Sequence, residues 1–231
     1  MARNVGTLAK RSRQAQLNSR HRTRSKSLRY VKFWLRKPEF AQHQQKAILM
    51  ERFPIHTLDS APEASKSALR DVQIRFGMIP NLAGSMATSP VLTQSFIGIF
   101  DKVNGGSFNE PQIQTVLLTD AVTNACTWAV ALHSALGLQA GLDPSDVAAM
   151  RAGRSPSDEK LGALSSLART LIEKRGRLDD RDIERFLAAG FGKDLLLEVI
   201  TIVAASTITN YTGSVTNPPL EAALQQHAWK S

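Results

Sequence analysis

Cysteine is nearly missing from this chain: Cys126 is the single one among 231 residues. One thiol cannot close an intramolecular disulfide, and such usage fits a reducing compartment, with the cytoplasm as the expected location. Acids are missing from the start, since no Asp or Glu precedes Glu39. The net charge of +9 is therefore unevenly divided. Residues 1–49 carry thirteen Lys/Arg against one acid, while residues 50–231 carry sixteen against nineteen. All the excess positive charge lies in the first segment. The mildly acidic body is a poor candidate for binding a phosphate backbone, and no nucleic-acid partner is expected for it.

That first segment has neither an apolar signal-peptide core nor an adjacent arginine pair for twin-arginine export. Up to Ser27 it holds too few apolar residues to offset the entropy of ordering, so 1–49 is expected to be a basic, disordered extension. Leu28, Val31, Trp34 and Leu35 have the spacing of one short amphipathic helix. An Arg- and Ser-rich, acid-poor start is also the composition of a transit peptide, which would place the protein in the mitochondrion. An over-extended start ahead of Met50 and a genuine basic arm are the other two explanations.

Uninterrupted apolar runs are lacking as well. The charge-free stretches 121–142 and 199–220 are long enough to span a membrane, but Asn124, His133, Gln139, Asn210 and Asn217 interrupt them. A spanning helix wants about 20 predominantly apolar residues, so these stretches read as buried helices and no membrane partner is expected. Period-two alternation is absent, and so are turn-bounded Val/Ile-rich strands. The body, 50–231, is expected to be one all-α bundle.

Helix punctuation is what the body does contain. Ser60, Pro62 and Glu63 read as a cap and first turn, with the helix running to Gly77 and a turn at Met78–Asn81. Ser89-Pro90 opens a second helix, with Val91, Phe96, Ile99 and Phe100 on its apolar side and Gly105-Gly106 at its end. Asn109 and Pro111 open a third, with Ile113, Val116, Leu117 and Val122 along its stripe. Asp143-Pro144 and Ser155-Pro156-Ser157-Asp158 have the same cap-and-proline grammar. Asp179, Asp180 and Asp182 form a helix-start cluster ahead of a stop at Gly190. The segment 193–211 is apolar nearly all round, as suits a core or an oligomer interface. Asn210 and Tyr211 read as its hydrogen-bonded end, or alternatively as part of a pocket.

The chemistry centres on Cys126 and His133. Seven residues of helix rise about 10 Å with only about 20° of angular drift, so both side chains are expected to leave one face of one helix. Thr123 and Asn124 are good N-cap residues, which places Cys126 in a first turn where the helix dipole lowers a thiol pKa. The opposing structural reading is a buried cysteine acting as a small hydrophobe and a packed, hydrogen-bonded histidine. His21, His43, His56 and His227 are scattered with no ligand spacing, so no metal is expected. No flavin, heme or nucleotide signature is present and no cofactor is expected; the paired glycines follow no strand and are helix stops.

Asn124-Ala125-Cys126-Thr127-Trp128-Ala129-Val130-Ala131-Leu132-His133 resembles the alkylhydroperoxidase D-like, or carboxymuconolactone decarboxylase, family. Ala140-Gly141-Leu142 and Ala149-Met150-Arg151-Ala152-Gly153 follow in the order that family shows, with Phe76–Leu82 upstream and Ala189–Phe191 and Thr209–Thr212 downstream. The resemblance covers most of 50–231. It implies an alkylhydroperoxidase D-like helical bundle that assembles as a homo-trimer or hexamer, acting on an organic hydroperoxide or other small molecule with an external thiol as reductant.

The family's motif is a glutamate, a Cys-x-x-Cys twelve residues later and a histidine four beyond. The glutamate and histidine relay protons, the second cysteine is oxidised to sulfenic acid, and the first resolves it. Cys126 matches the first cysteine, Trp128 the usual aromatic and His133 the relay histidine. Ala129 stands at the peroxide-attacking position and Gln114 at the glutamate. Alanine cannot attack a peroxide and glutamine cannot take a proton as a base, so the dithiol cycle is excluded. Three readings remain: a one-cysteine peroxidase acting through Cys126 and His133, a catalytically silent oligomeric relative, and a lactone decarboxylase that needs no thiol but wants a cationic pocket.

Overall fold

A computed structural model describes residues 53–230 of the chain. The expected extension at 1–49 lies outside the described residues. Within them are nine α-helices, one 3-10 turn and no strand, as the missing alternation implies. The helices are α1 (Glu63–Phe76), α2 (Asn81–Met86), α3 (Pro90–Asn104), α4 (Glu110–Thr123), α5 (Thr127–Gln139), α6 (Pro144–Arg151), α7 (Glu159–Glu173), α8 (Asp180–Ala188) and α9 (Lys193–Thr216). A 3-10 turn, Ala222–His227, packs against α5.

Caps explain most boundaries. Ser89 accepts the Leu92 N–H at the start of α3, and Asp143 accepts that of Ser145 ahead of α6. Asn109 with Gln112 and Asp179 with Asp182 form reciprocal capping boxes at α4 and α8. Two expected caps are displaced. Ser60 closes a turn with Thr57, leaving Pro62 at the N-cap of α1. Asp158, not Ser155, caps α7, because Ser157 donates its N–H to Asp146 across the loop.

α4 is the centre of the bundle, packed against α5, α6, α7 and α9. Ile113, Val116 and Leu117 of α4 meet Leu164, Leu167 and Leu171 of α7 and Val199 and Ile202 of α9. Phe186 stacks on Phe191 in the same core, with ring centroids 4.7 Å apart. On the other side, Leu118, Ala121, Trp128 and Val130 pack with Leu82 and Met86 of α2. α1 and α3 close a third cluster through Leu69, Val72 and Ile97. Val91, expected on the apolar side of α3, is 75% exposed; Thr93 and Ile97 are buried instead.

α9 runs five residues past the expected end at Tyr211, to Thr216. It is long and apolar enough to cross a membrane by length and composition, yet one face of it is built into the core against α2, α3, α4, α5 and α7. Its outer face leaves Leu197, Ile200, Tyr211 and Val215 exposed. Burying apolar surface on one side of a helix this apolar necessarily leaves apolar surface on the other.

Candidate functional site: a cavity ending at His133

The junction of α4 and α5 determines where the chemical groups point. Asn124 closes α4 by donating its side-chain amide to the Asp120 carbonyl, and Ala125 then takes a left-handed φ of 52°. Cys126 follows in extended geometry as the N-cap of α5, with its N–H bonded to the Ala121 carbonyl. Thr123 and Asn124 therefore end α4 instead of capping α5. Cys126 precedes the helix, so the seven-residue helical phase with His133 does not apply.

The two side chains accordingly occupy different surroundings. Cys126 is 2% exposed and packs toward Gly213 of α9, so closely that a Cβ on Gly213 would stand 2.7 Å from its sulfur. Burial pushes the Cys126 thiol above the usual thiol range, with the backbone N–H groups of Ala129 and Trp128 pulling the other way. The expected lowering by the helix start is present in direction but outweighed by desolvation. Ala129, at the family's attacking position, is wholly buried.

His133 lines a cavity of about 290 Å³ between α1, α2, α3, α4 and α5. Its walls are mainly apolar, including Val72, Phe76, Leu82, Met86, Phe96, Phe100, Leu117, Trp128 and Leu136, with Thr209 of α9. Trp128 is fixed there by a 3.0 Å bond from its indole Nε1 to Glu221, whose other oxygen accepts the Asn81 N–H. One carboxylate thus ties α2 and α5 to the segment after α9.

The polar groups of the cavity are few and connected. Gln114 Nε2 donates to Glu110 Oε1 at 2.7 Å, one helical turn earlier. Gln114 Oε1 lies 3.0 Å from His133 Nδ1. His133 Nε2 is buried without a hydrogen-bond partner. Desolvation lowers the His133 pKa to about 4, so the imidazole is neutral at physiological pH. The Glu110 carboxylate does not offset this, because the neutral Gln114 amide stands between them. Arg75 also lines the cavity and is paired with Asp101 of α3.

Gln114, Trp128 and His133 are therefore brought together, whereas Cys126 and Ala129 lie outside the cavity lining. Sequence reasoning missed Glu110, although its i, i+4 spacing to Gln114 on a helix was the available signal. Of the alternatives for Asn210 and Tyr211, neither lines this cavity: Asn210 is buried mid-helix and donates to Ser206, and Tyr211 is 62% exposed. Arg151 binds Ser134 and the carbonyls of His227 and Ala228, which straps the C-terminal segment to the bundle. Among the described residues, no three His, Cys, Asp or Glu side chains group as metal ligands.

Compared by sequence, the chain matches no protein-family model and no curated protein. Solved structures do match it. An alkylhydroperoxidase AhpD core, an uncharacterized peroxidase-related protein from Ralstonia eutropha JMP134, superposes with a TM-score of 0.67 at 16% identity. That match covers 78% of this chain and 97% of the other. A peroxidase-related protein from Silicibacter sp. TM1040 gives 0.64 at 17% identity, covering 74% and 91%. The debrominase Bmp8, as a cysteine-to-alanine variant in complex with 2,3,4-tribromopyrrole, gives 0.64 at 15%, covering 76% and 94%. The chain has the all-helical alkylhydroperoxidase D fold, as the sequence resemblance implies.

Proposed function

We propose that the chain is a small-molecule-binding protein on the alkylhydroperoxidase D fold, in which His133 receives a hydrogen bond from a largely apolar ligand and no thiol chemistry takes part. The separation of the two groups carries this reading: Cys126 is sealed against α9, while His133, whose buried Nε2 has no hydrogen-bond partner, is a residue of the cavity lining. A neutral imidazole in an apolar, concave site is a positioning group for a ligand. Of the three sequence readings, the relative without a redox cycle fits this geometry best. A lactone decarboxylase would want a free cation for its anionic substrate, and Arg75 is already paired with Asp101.

A second reading, one-cysteine hydroperoxide reduction, draws on the two backbone N–H groups directed at the Cys126 sulfur and on the peroxidase-related neighbours. In that chemistry the thiolate takes the terminal peroxide oxygen, the alcohol leaves, and an external thiol reduces the sulfenic acid with loss of water. Incubation with cumene hydroperoxide and dithiothreitol separates the two. The binding reading expects peroxide loss no faster than with dithiothreitol alone and an unmodified Cys126 by intact mass. Turnover with a trapped sulfenic acid at Cys126 would install the peroxidase.

Assembly with copies of itself, as a trimer or hexamer, is also proposed; the exposed apolar face of α9 supports it. Sedimentation at micromolar concentration tests it, and a monomer contradicts it.

A further inference from the structure

The orientation of one amide settles what the cavity offers to a ligand. A carboxylate only accepts hydrogen bonds, so the Gln114 group 2.7 Å from Glu110 must be its NH2. Gln114 Oε1 then necessarily faces His133 Nδ1, at 3.0 Å. That oxygen also only accepts, so Nδ1 carries the proton. A neutral imidazole has one N–H, which leaves Nε2 with a bare lone pair. This nitrogen is the one buried without a partner, on a residue that lines the cavity.

We propose that Glu110 is the specificity-determining residue of the cavity: through Gln114 it holds His133 as the Nδ1–H tautomer, so that the site takes a small uncharged molecule presenting an O–H or N–H donor on an apolar body. This rests on the reading of the cavity as a ligand site. Phe76, Phe96, Phe100 and Trp128 line the cavity with aromatic side chains, which suit an aromatic body. A cavity of about 290 Å³ lies at the small end of the range for small-molecule sites, roughly 300–1,000 Å³. A charged ligand would have to give up its hydration against these walls. An anion would in addition meet Glu110 and compete with Asp101 for Arg75.

Glu110 is the first residue of α4, where an acid also favours the helix start. A role confined to the helix would leave the His133 tautomer unchanged, and this separates the two.

The test uses 2-naphthol and its methyl ether, which lacks the donor and carries one extra methyl group. Calorimetric binding is measured to the full chain and to Glu110→Lys, the variant serving as the control for the added bulk. An ammonium at 110 donates, so Gln114 turns its oxygen toward it and its NH2 toward Nδ1, moving the His133 proton to Nε2. The native chain is expected to prefer the naphthol by about tenfold or more, the effect of one buried hydrogen bond. Glu110→Lys should abolish or reverse that preference. Imidazole nitrogen NMR should find the His133 proton on Nδ1 in the native chain and on Nε2 in the variant. Should Glu110→Lys not fold, Glu110→Gln, which accommodates either amide orientation, should still weaken the preference.

Equal binding of naphthol and ether, or a proton on Nε2 of the native chain, overturns the tautomer assignment while leaving the cavity as a binding site. If neither compound binds, the ligand-site reading falls and this inference falls with it.

Discussion

Acidification should weaken this fold through one buried imidazole. The folded-state pKa of His133 is about 4, against an ordinary value of about 6.5 in the unfolded chain. Between those two values the unfolded chain binds a proton that the folded chain refuses. Stability therefore rises with pH across this window and is lost as pH falls from about 6.5 toward about 4. A difference of about 2.5 units at about 1.4 kcal/mol each amounts to about 3–4 kcal/mol. That is a large fraction of the roughly 5–15 kcal/mol that separates a typical folded domain from its unfolded state.

The assay is urea unfolding at a series of pH values for the native chain and His133→Gln. The variant keeps a side-chain donor for Gln114 and cannot titrate. The carboxylates and the other histidines are common to both proteins and cancel in the comparison. The native chain should lose about 3–4 kcal/mol more than the variant over the window. Parallel stability curves would refute the burial of a neutral, unprotonatable His133.

Three further outcomes follow from the same packing. Cys126, sealed and with its pKa raised, should react with iodoacetamide in urea but not in buffer at neutral pH; fast native labelling contradicts its placement. Asp120 is wholly buried, neither carboxylate oxygen completes a hydrogen bond, and desolvation raises its pKa well above the usual range, against the pull of the Ser206 hydroxyl. Because the unfolded chain releases this proton first, Asp120 costs stability as pH rises above about 4. Asp120→Asn should therefore stabilise the fold at neutral pH by about 1 kcal/mol or more, and denaturant midpoints check it. Gly213→Ala should destabilise by roughly 1–3 kcal/mol, because the new methyl meets the Cys126 sulfur, and Cys126→Ala should restore part of the loss in the double variant. Additive effects would mean the two side chains do not touch.

The bundle was legible because its helices announce themselves locally. Ser89-Pro90, Asn109, Asp143-Pro144 and Asp179 through Asp182 each combine a cap with a proline or an acid in the first turn, and each opens a helix at or next to the expected place. The site was legible only in part. Gln114 and His133 were matched through the family motif and do meet, across α4 and α5. Cys126 was misplaced because the α4–α5 junction is made by a left-handed alanine, a residue type that gives no signal for that conformation. A glycine at 125 would have marked the break. Its absence let the helix be drawn through Cys126, with the wrong side-chain direction. The raised pKa was beyond reach for the same reason, since it depends on the approach of α9 at Gly213, far away in sequence.

The central claim is that the cavity works through His133 and not through Cys126. Calorimetric titration of 2-naphthol into Cys126→Ala and His133→Leu, beside the native chain, tests it most directly. The account predicts unchanged affinity for Cys126→Ala and a loss of about tenfold or more for His133→Leu. Loss of binding on removing the thiol, with binding intact on removing the imidazole, would contradict it.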